Sequence, residues 1–341
     1  MTTTMKDVAR RAGVDVSTVS LAMNNDPRIR METRARILTV ATELGYRKNL
    51  LARGLRSGKS FTIGAVVGSA TPFWAEALAG AQSVLSDHDY HLILDYAPDA
   101  GRREETQIEA LTAKRVDGLL IAPPDSEALD SDSETLRRYR SLKEQKVPFV
   151  FLDRFIPGVD ADAVAVDDFA AACQATEYLI AQKHRRIAYL YPPHRMNTAQ
   201  RDRREGYRQT MESHGVEPLF WATTKPGNDR REEAWEETRN RLNESESSGV
   251  TAILAATDSM AVGVLRALHE SSVRVPEQMA LIGCGGAAFA EYLQPPLSAV
   301  ALPIRELGAQ AARLLLLRIE GDVAPPKRVL LPTQLIIRGS C

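Results

Sequence analysis

Cysteine is scarce in this 341-residue chain, and Cys173, Cys284 and Cys341 lie far apart without a CxxC or Cys/His pattern. That spacing speaks against a disulfide framework or a zinc site, and fits a reducing compartment. Long apolar runs are missing too. No stretch approaches the roughly 20 residues of a membrane span, and "MTTTMKDVARRAG" lacks the apolar core of a secretory signal. His88, His91, His184, His194, His214 and His269 show no i, i+4 pairing, and neither G-x-S-x-G nor a phosphate-binding loop occurs. Asp167 and Asp168 adjoin, which points them apart and unsuits them as an acid/base pair. A soluble, cytoplasmic protein without metal or cofactor, and not an enzyme, is expected.

What is present is a division of charge. The net value is −1, yet residues 1–60 hold 12 Lys+Arg against 5 Asp+Glu, leaving 31 against 39 for the remainder. A small basic head on a mildly acidic body points to a polyanion partner for the head. Three short helices are expected over 5–45. Met5, Val8, Ala9 and Ala12 share one face before Gly13; Asp15 can cap a second helix with Val16, Val19 and Met23 inward; Ile37, Val40, Ala41 and Leu44 line the third. A plain helical hairpin fits this pattern, and so does a helix-turn-helix whose second helix enters the major groove. In the latter, Val16, Ser17 and Leu21 are exposed readers, Thr18, Ser20 and Asn24 donate to phosphates or bases, and Lys6, Arg10, Arg28 and Arg30 supply phosphate contacts.

From Phe61 the pattern becomes strands alternating with helices, as in "FTIGAVVG", "HLILDY", "DGLLIAP", "VPFVFLD" and "AVAVD", then "RIAYLYP", "PLFWAT", "TAILAAT" and "MALIGCG". Such alternation predicts an α/β body of parallel sheets covered on both faces. A weak echo at an offset near 125 to 135 residues pairs "FTIGAVVG" with "RIAYLYP" and "VDGLLIAP" with "VTAILAAT", which implies two similar doubly wound lobes. Their facing strand ends form a cleft for a ligand.

"MKDVARRAGVDVSTVSLAMNN" and "TRARILTVATELGYRKNLLARGLRSGKSFTIG" resemble the N-terminal signature of the LacI/GalR family of bacterial transcription regulators. The likeness continues through "TPFWAEALAGAQ", "VDGLLIAPP", "VPFVFLDR", "RREGYRQTM", "AATDSMAVGVLRAL" and "PTQLIIRGS", in the family's order and nearly to the chain's end. It implies a helix-turn-helix domain over 1–46, a hinge over 47–60 and a body over 61–341 resembling type I periplasmic binding proteins. One lobe is expected at about 61–157 and 288–320, the other at about 158–287 and 321–341. The resemblance further implies a hinge that folds on operator, with Leu55 as a minor-groove wedge beside Asn49, Ala52 and Arg53. Lys48 stands where relatives often have proline. A segment that orders only on DNA bears its entropic cost only in the bound state.

For the body, the resemblance implies that Arg203 grips an effector, although an exposed helix arginine is the plainer reading. Thr257 is expected to face the cleft, with Asp258 first of all a helix N-cap. Phe73 and Trp74 can stack on a ring or belong to the core, and Arg154 and Asp167 suit the pocket rim or a surface ion pair. Ser69 and Gly286 complete the effector set. Gly285 and Gly286 stand where many relatives carry acidic residues that accept sugar hydroxyls, a departure that weighs against the simplest sugar site. The glycines also create a G-x-G-x-x-A pattern at Gly283, Gly285 and Ala288, but Pro295 and Pro296 cut short the helix a dinucleotide needs. The resulting expectation is a homodimeric repressor that binds a near-palindromic operator under control of a small-molecule effector, a sugar or sugar derivative. No leucine heptads follow the last strand, so no coiled-coil tetramer is expected. The rival is a ligand-binding protein of the periplasmic type without DNA function.

Overall fold

Small apolar side chains three or four positions apart give the N-terminal region its helices, α1 (Met5–Ala12), α2 (Val16–Met23) and α3 (Met31–Glu43). The computed structural model describes residues 3–23, 25–46, 58–68, 70–96, 102–123, 134–193, 197–224, 229–244 and 249–341. Asn24, Asn49, Ala52, Arg53, Leu55 and Ser69 therefore lie outside the described residues. By contacts the chain forms two units, Met1–Ser60 and Phe61–Cys341. In the first, the backbone N–H and hydroxyl of Thr4 donate to Asp7 at 2.9 and 2.7 Å, securing the start of α1. Gly13, at φ +66°, ends it in the left-handed region. Val8, Ala9, Ala12, Val19, Ala22, Ile37 and Ala41 form the core. Val16, read both as inward and as an exposed reader, is 40% exposed, as the second reading requires, because the first turn of α2 borders an open groove shared with the start of α1.

The second unit begins β1 (Thr62–Val67), α4 (Pro72–Ser86), β2 (His91–Tyr96), α5 (Arg102–Ala113), β3 (Gly118–Ile121), α6 (Glu134–Glu144), β4 (Phe149–Asp153) and β5 (Asp162–Val166). It continues through α7 (Asp168–Ala181), β6 (Ile187–Tyr191), α8 (Thr198–Ser213), β7 (Leu219–Ala222), α9 (Arg230–Leu242), β8 (Ala252–Ala255), α10 (Asp258–Glu270) and β9 (Ala280–Gly285). A 3-10 turn (Ala288–Tyr292), β10 (Ser298–Ala301), α11 (Ile304–Ile319), β11 (Arg328–Leu331) and β12 (Gln334–Ile336) complete it.

Two six-stranded sheets result, ordered β11-β5-β4-β3-β1-β2 and β12-β10-β9-β8-β6-β7. All neighbours are parallel except β12, which runs against β10. Strands β1 and β6 hold equivalent places, as do β2 and β7, and β3 and β8, so the internal echo is a structural repeat. Strands β1, β3, β6 and β8 are nearly all buried, as parallel strands covered on both faces require, whereas the edge strand β2 is largely exposed.

The expected lobe boundaries need correction. Strand β5 pairs with β4 in the first sheet, β10 pairs with β9 in the second, and β11 returns to β5 in the first. The chain thus crosses between lobes after β5, after β10 and again after β11. An apolar strand such as β5 reads the same in either sheet, so only its non-local partner settles the lobe. Helices α4 and α11 pack closely because Gly308 has no side chain; a Cβ there would lie 1.7 Å from the Ala77 carbonyl oxygen. Among the described residues, no helix is long and apolar enough to cross a membrane.

Candidate functional site

On the N-terminal unit, Lys6, Val16, Ser17, Ser20 and Leu21 line one surface groove with Thr4 and Met5. Lys6, Val16 and Ser17 are exposed, while Ser20 and Leu21 are half-buried. The mixture of hydroxyl, apolar and cationic groups at the start of α2 suits base edges and phosphates. Thr18 is half-buried and outside the groove, and Arg28 is exposed on the loop beyond α2.

In the second unit, a cavity of about 340 Å³ opens where the strand ends of both lobes meet. The first lobe contributes Thr71, Phe73 and Trp74 from the start of α4, Asp153 and Arg154 from the end of β4, and Leu302 and Ile304 from the start of α11. The second contributes Asn197, Gln200 and Arg203 around the start of α8, Thr257 and Asp258 from α10, and Cys284 and Gly285 from the end of β9. This is the expected place for a ligand in open parallel sheets.

Arg203 anchors the floor. Its Nε donates to Asp168 Oδ1 at 2.6 Å and its Nη1 to the Ala256 carbonyl at 2.8 Å, all buried. The exposed-arginine reading is therefore excluded. Burial alone would lower the pKa of the guanidinium, but Asp168 leads the neighbours that hold it up. Burial raises Asp168 to about 7 against the pull of Arg203, with Asp153 adding to the rise. Asp153 is also raised by burial, opposed by Arg154 and Arg203. Its backbone sits at φ +69°, a strained conformation for a non-glycine residue at the cavity wall. Burial raises Cys284 to about 12, which keeps it a neutral thiol.

Among the described residues, three acceptors in this wall have no hydrogen-bond partner: Asp153 Oδ1, Gln200 Oε1 and Asp258 Oδ1. In the same cavity, Phe73 and Trp74 meet edge to face at 4.8 Å, and the Arg154 guanidinium lies 5.5 Å from the Trp74 ring. Trp74 is at once core and cavity wall. Such a site can accept several hydrogen bonds from a ligand while packing against its apolar face.

Several expected roles change. Asp167 does not line the cavity but caps α7, accepting from the Ala170 N–H at 3.0 Å, and its neighbour Asp168 turns inward to Arg203. Thr257, not Asp258, caps α10, accepting from the Met260 N–H at 3.2 Å. Asp258 Oδ2 accepts from the Ala287 N–H at 2.7 Å, and both Thr257 and Asp258 line the cavity. Gly286 does not line it: at φ +71°, its Cβ would lie 2.6 Å from the Ala301 Cα. The glycines serve Asp258, whose carboxylate fills space that a Cβ at Gly283 or Gly285 would occupy, at 2.5 and 2.8 Å. The run passes into a 3-10 turn, not an α-helix, so it forms no dinucleotide cradle. Asp153, Asp168, Asn197, Gln200 and Cys284 escaped sequence reasoning; the one available signal was that Asp153 ends the strand "VFLD".

Residues 4–49 match the model of bacterial regulatory proteins of the lacI family, and residues 176–341 match a periplasmic binding protein-like domain. The ribose operon repressor of Escherichia coli is 33% identical over 339 residues, 99% of each chain. The transcriptional repressor CytR of the same species is 30% identical over 342 residues, 99% of this chain and 96% of the relative. Among solved structures, a lac repressor dimer bound to operator and the anti-inducer ONPF aligns with a TM-score of 0.82 at 25% identity, covering 100% of this chain and 99% of that one. A LacI family regulator from Enterococcus faecium with bound ribose aligns with a TM-score of 0.70 at 28% identity, covering 82% and 98%.

The raised Asp168 carboxyl sets a pH dependence. An aspartate held above its ordinary range contributes stability that is complete below about pH 4 and is lost as pH rises through about 7. Replacing Asp168 with Asn should flatten that part of the decline in denaturation experiments between those pH values. An unchanged slope would show that Asp168 does not carry it.

Proposed function

Since this chain belongs to the LacI family of bacterial regulatory proteins, we propose that it is a homodimeric repressor whose operator affinity is set by a carbohydrate or carbohydrate-derived effector in the interlobe cavity. The observation that carries the effector class is the set of three buried, unpartnered acceptors, Asp153 Oδ1, Gln200 Oε1 and Asp258 Oδ1, beside the Trp74 ring and Arg203. A hydroxyl-rich ligand supplies the missing donors, and buried acceptors left unpaired disfavour ligands without them. Thus Asp153, Gln200 and Asp258 stand in for the carboxylates that relatives carry where Gly285 and Gly286 stand here. Phe73, Arg154 and Thr257 complete the contact set, and the bound ribose of the Enterococcus faecium regulator supports the ligand class.

The N-terminal groove supports DNA reading by Lys6, Val16, Ser17, Ser20 and Leu21, with Thr18, Asn24 and Arg28 toward the backbone or flanking bases. Two heads in a dimer read two half-sites, and the operator-bound lac repressor dimer supports that assembly. The protein acts as a regulator rather than an enzyme and works in the bacterial cytoplasm at the nucleoid. Linkage of 1 to 3 kcal/mol between cavity and operator changes affinity about 5- to 150-fold.

Genome-wide mapping of bound sites, followed by release of the protein from those sites with ribose and other sugars, tests this function. Replacing Gln200 with Met keeps side-chain length but removes the acceptor, and should weaken effector binding about tenfold by calorimetry; unaltered affinity would remove Gln200 from the contact set. Leu55→Ala should weaken specific operator binding far more than binding to unrelated duplex. Equal losses on both DNAs would argue against the wedge.

A further inference from the structure

The loop after α2 holds a second arrangement with consequences for DNA reading. Asp26 is fixed through its carbonyl, which accepts from the Ile29 N–H at 3.1 Å and from Arg34 Nη2 at 2.6 Å. Its carboxylate grips Arg28 side-on. Oδ1 accepts from the Arg28 backbone N–H at 3.0 Å and from Nε at 2.9 Å, while Oδ2 accepts from Nη2 at 2.8 Å. These bonds to Arg28 hold the Asp26 carboxyl down at about 2, so it stays charged at physiological pH. The Arg28 side chain remains 74% exposed, against 20% for Asp26.

A guanidinium carries its N–H donors in a rigid planar fork. The side-on pair uses Nε and one hydrogen of Nη2. The end-on edge, made of Nη1 and the other Nη2 hydrogen, is left over, and Nη1 makes no hydrogen bond among the described residues. That edge matches the O6 and N7 acceptors of guanine in the major groove.

Two considerations favour a base over a phosphate as its target. A phosphate contact needs only a mobile cation, whereas a pinned fork has already lost its rotamer freedom and gains directional selectivity. In addition, Asp26 nearly cancels the charge of Arg28, which weakens nonspecific attraction to the duplex. Helix α2 spans eight residues, about 12 Å at 1.5 Å per residue. Arg28 stands five residues beyond the C-terminal end of that helix, past the readers on its first turn.

We propose that Asp26 is a positioning residue that holds Arg28 as a guanine reader, adding one base position to each half-site beyond those read by Val16 and Ser17. The proposal rests on the DNA-reading function above.

Selection of bound sequences from a randomised duplex library by the intact protein tests it, using the wild type, Asp26→Asn, Arg28→Lys and Arg28→Ala. The wild type should select a guanine at one position per half-site. Arg28→Ala and Arg28→Lys should each reduce that preference at least about tenfold and leave other positions in place, because lysine keeps the charge but lacks the fork. Asp26→Asn should relax the same position while strengthening binding to unrelated duplex. Uniform loss across all sequences, or a guanine preference that survives Arg28→Lys, would overturn the proposal. Arg28→Lys decides the matter even if Asp26→Asn fails to fold. A wild type that selects no sequence would contradict the DNA-reading function itself, whereas a motif with no Arg28-dependent guanine would overturn only the present assignment.

Discussion

The buried pairing of Arg203 with Asp168 is the interaction on which the cavity depends. One guanidinium ties the start of α7 to α8 and to the end of β8, and it does so next to a second buried carboxylate, Asp153, from the other lobe. Removing one member of such a buried pair costs about 3 to 5 kcal/mol, because the remaining charge is stranded. Arg203 is therefore structural and functional at once. Gln200 differs, since its unpartnered Oε1 leaves no protein group stranded when it is lost.

The placement of the cavity follows from the chain's path. The first passage between lobes runs directly into Asp168, and the second carries Leu302 and Ile304 into the cavity wall. A ligand that pulls the lobe faces together acts on groups adjoining those passages. The first lobe also begins at Phe61, directly after the linker segment. There the Phe61 N–H donates to Asp117 Oδ2 at 2.9 Å and the Asp117 N–H to the Thr62 carbonyl at 2.8 Å, so the start of this unit is pinned beside an interior strand of the sheet.

Much of this was legible from the residues, and the failures have definite causes. Alternating strands and helices gave both sheets, because short apolar strands between amphipathic helices have few other solutions. Strand β5 joins the lobe its sequence does not indicate, because strand pairing is non-local and leaves no trace in "AVAVD". Adjacency alone sets Asp167 and Asp168 apart, and the helix start between them makes one a cap and turns the other inward. Gly285 and Gly286 read as lost carboxylates, and Gly283 and Gly285 as part of a glycine pattern. Only the distance of Gly283 and Gly285 from Asp258 shows that they make room for another carboxylate. Family resemblance supplied Arg203, whose burial and partners no local pattern encodes.

The head and the cavity are two sites of one regulator, and the physical content of that claim is a coupling free energy. Coupling of binding is reciprocal: whatever factor the effector imposes on operator affinity, operator must impose on effector affinity. The most direct measurement is therefore effector affinity of the intact protein, by calorimetry, with and without saturating operator. The two affinities should differ by the same factor, about 5- to 150-fold, by which effector shifts operator binding. Equal effector affinity in both states would contradict it.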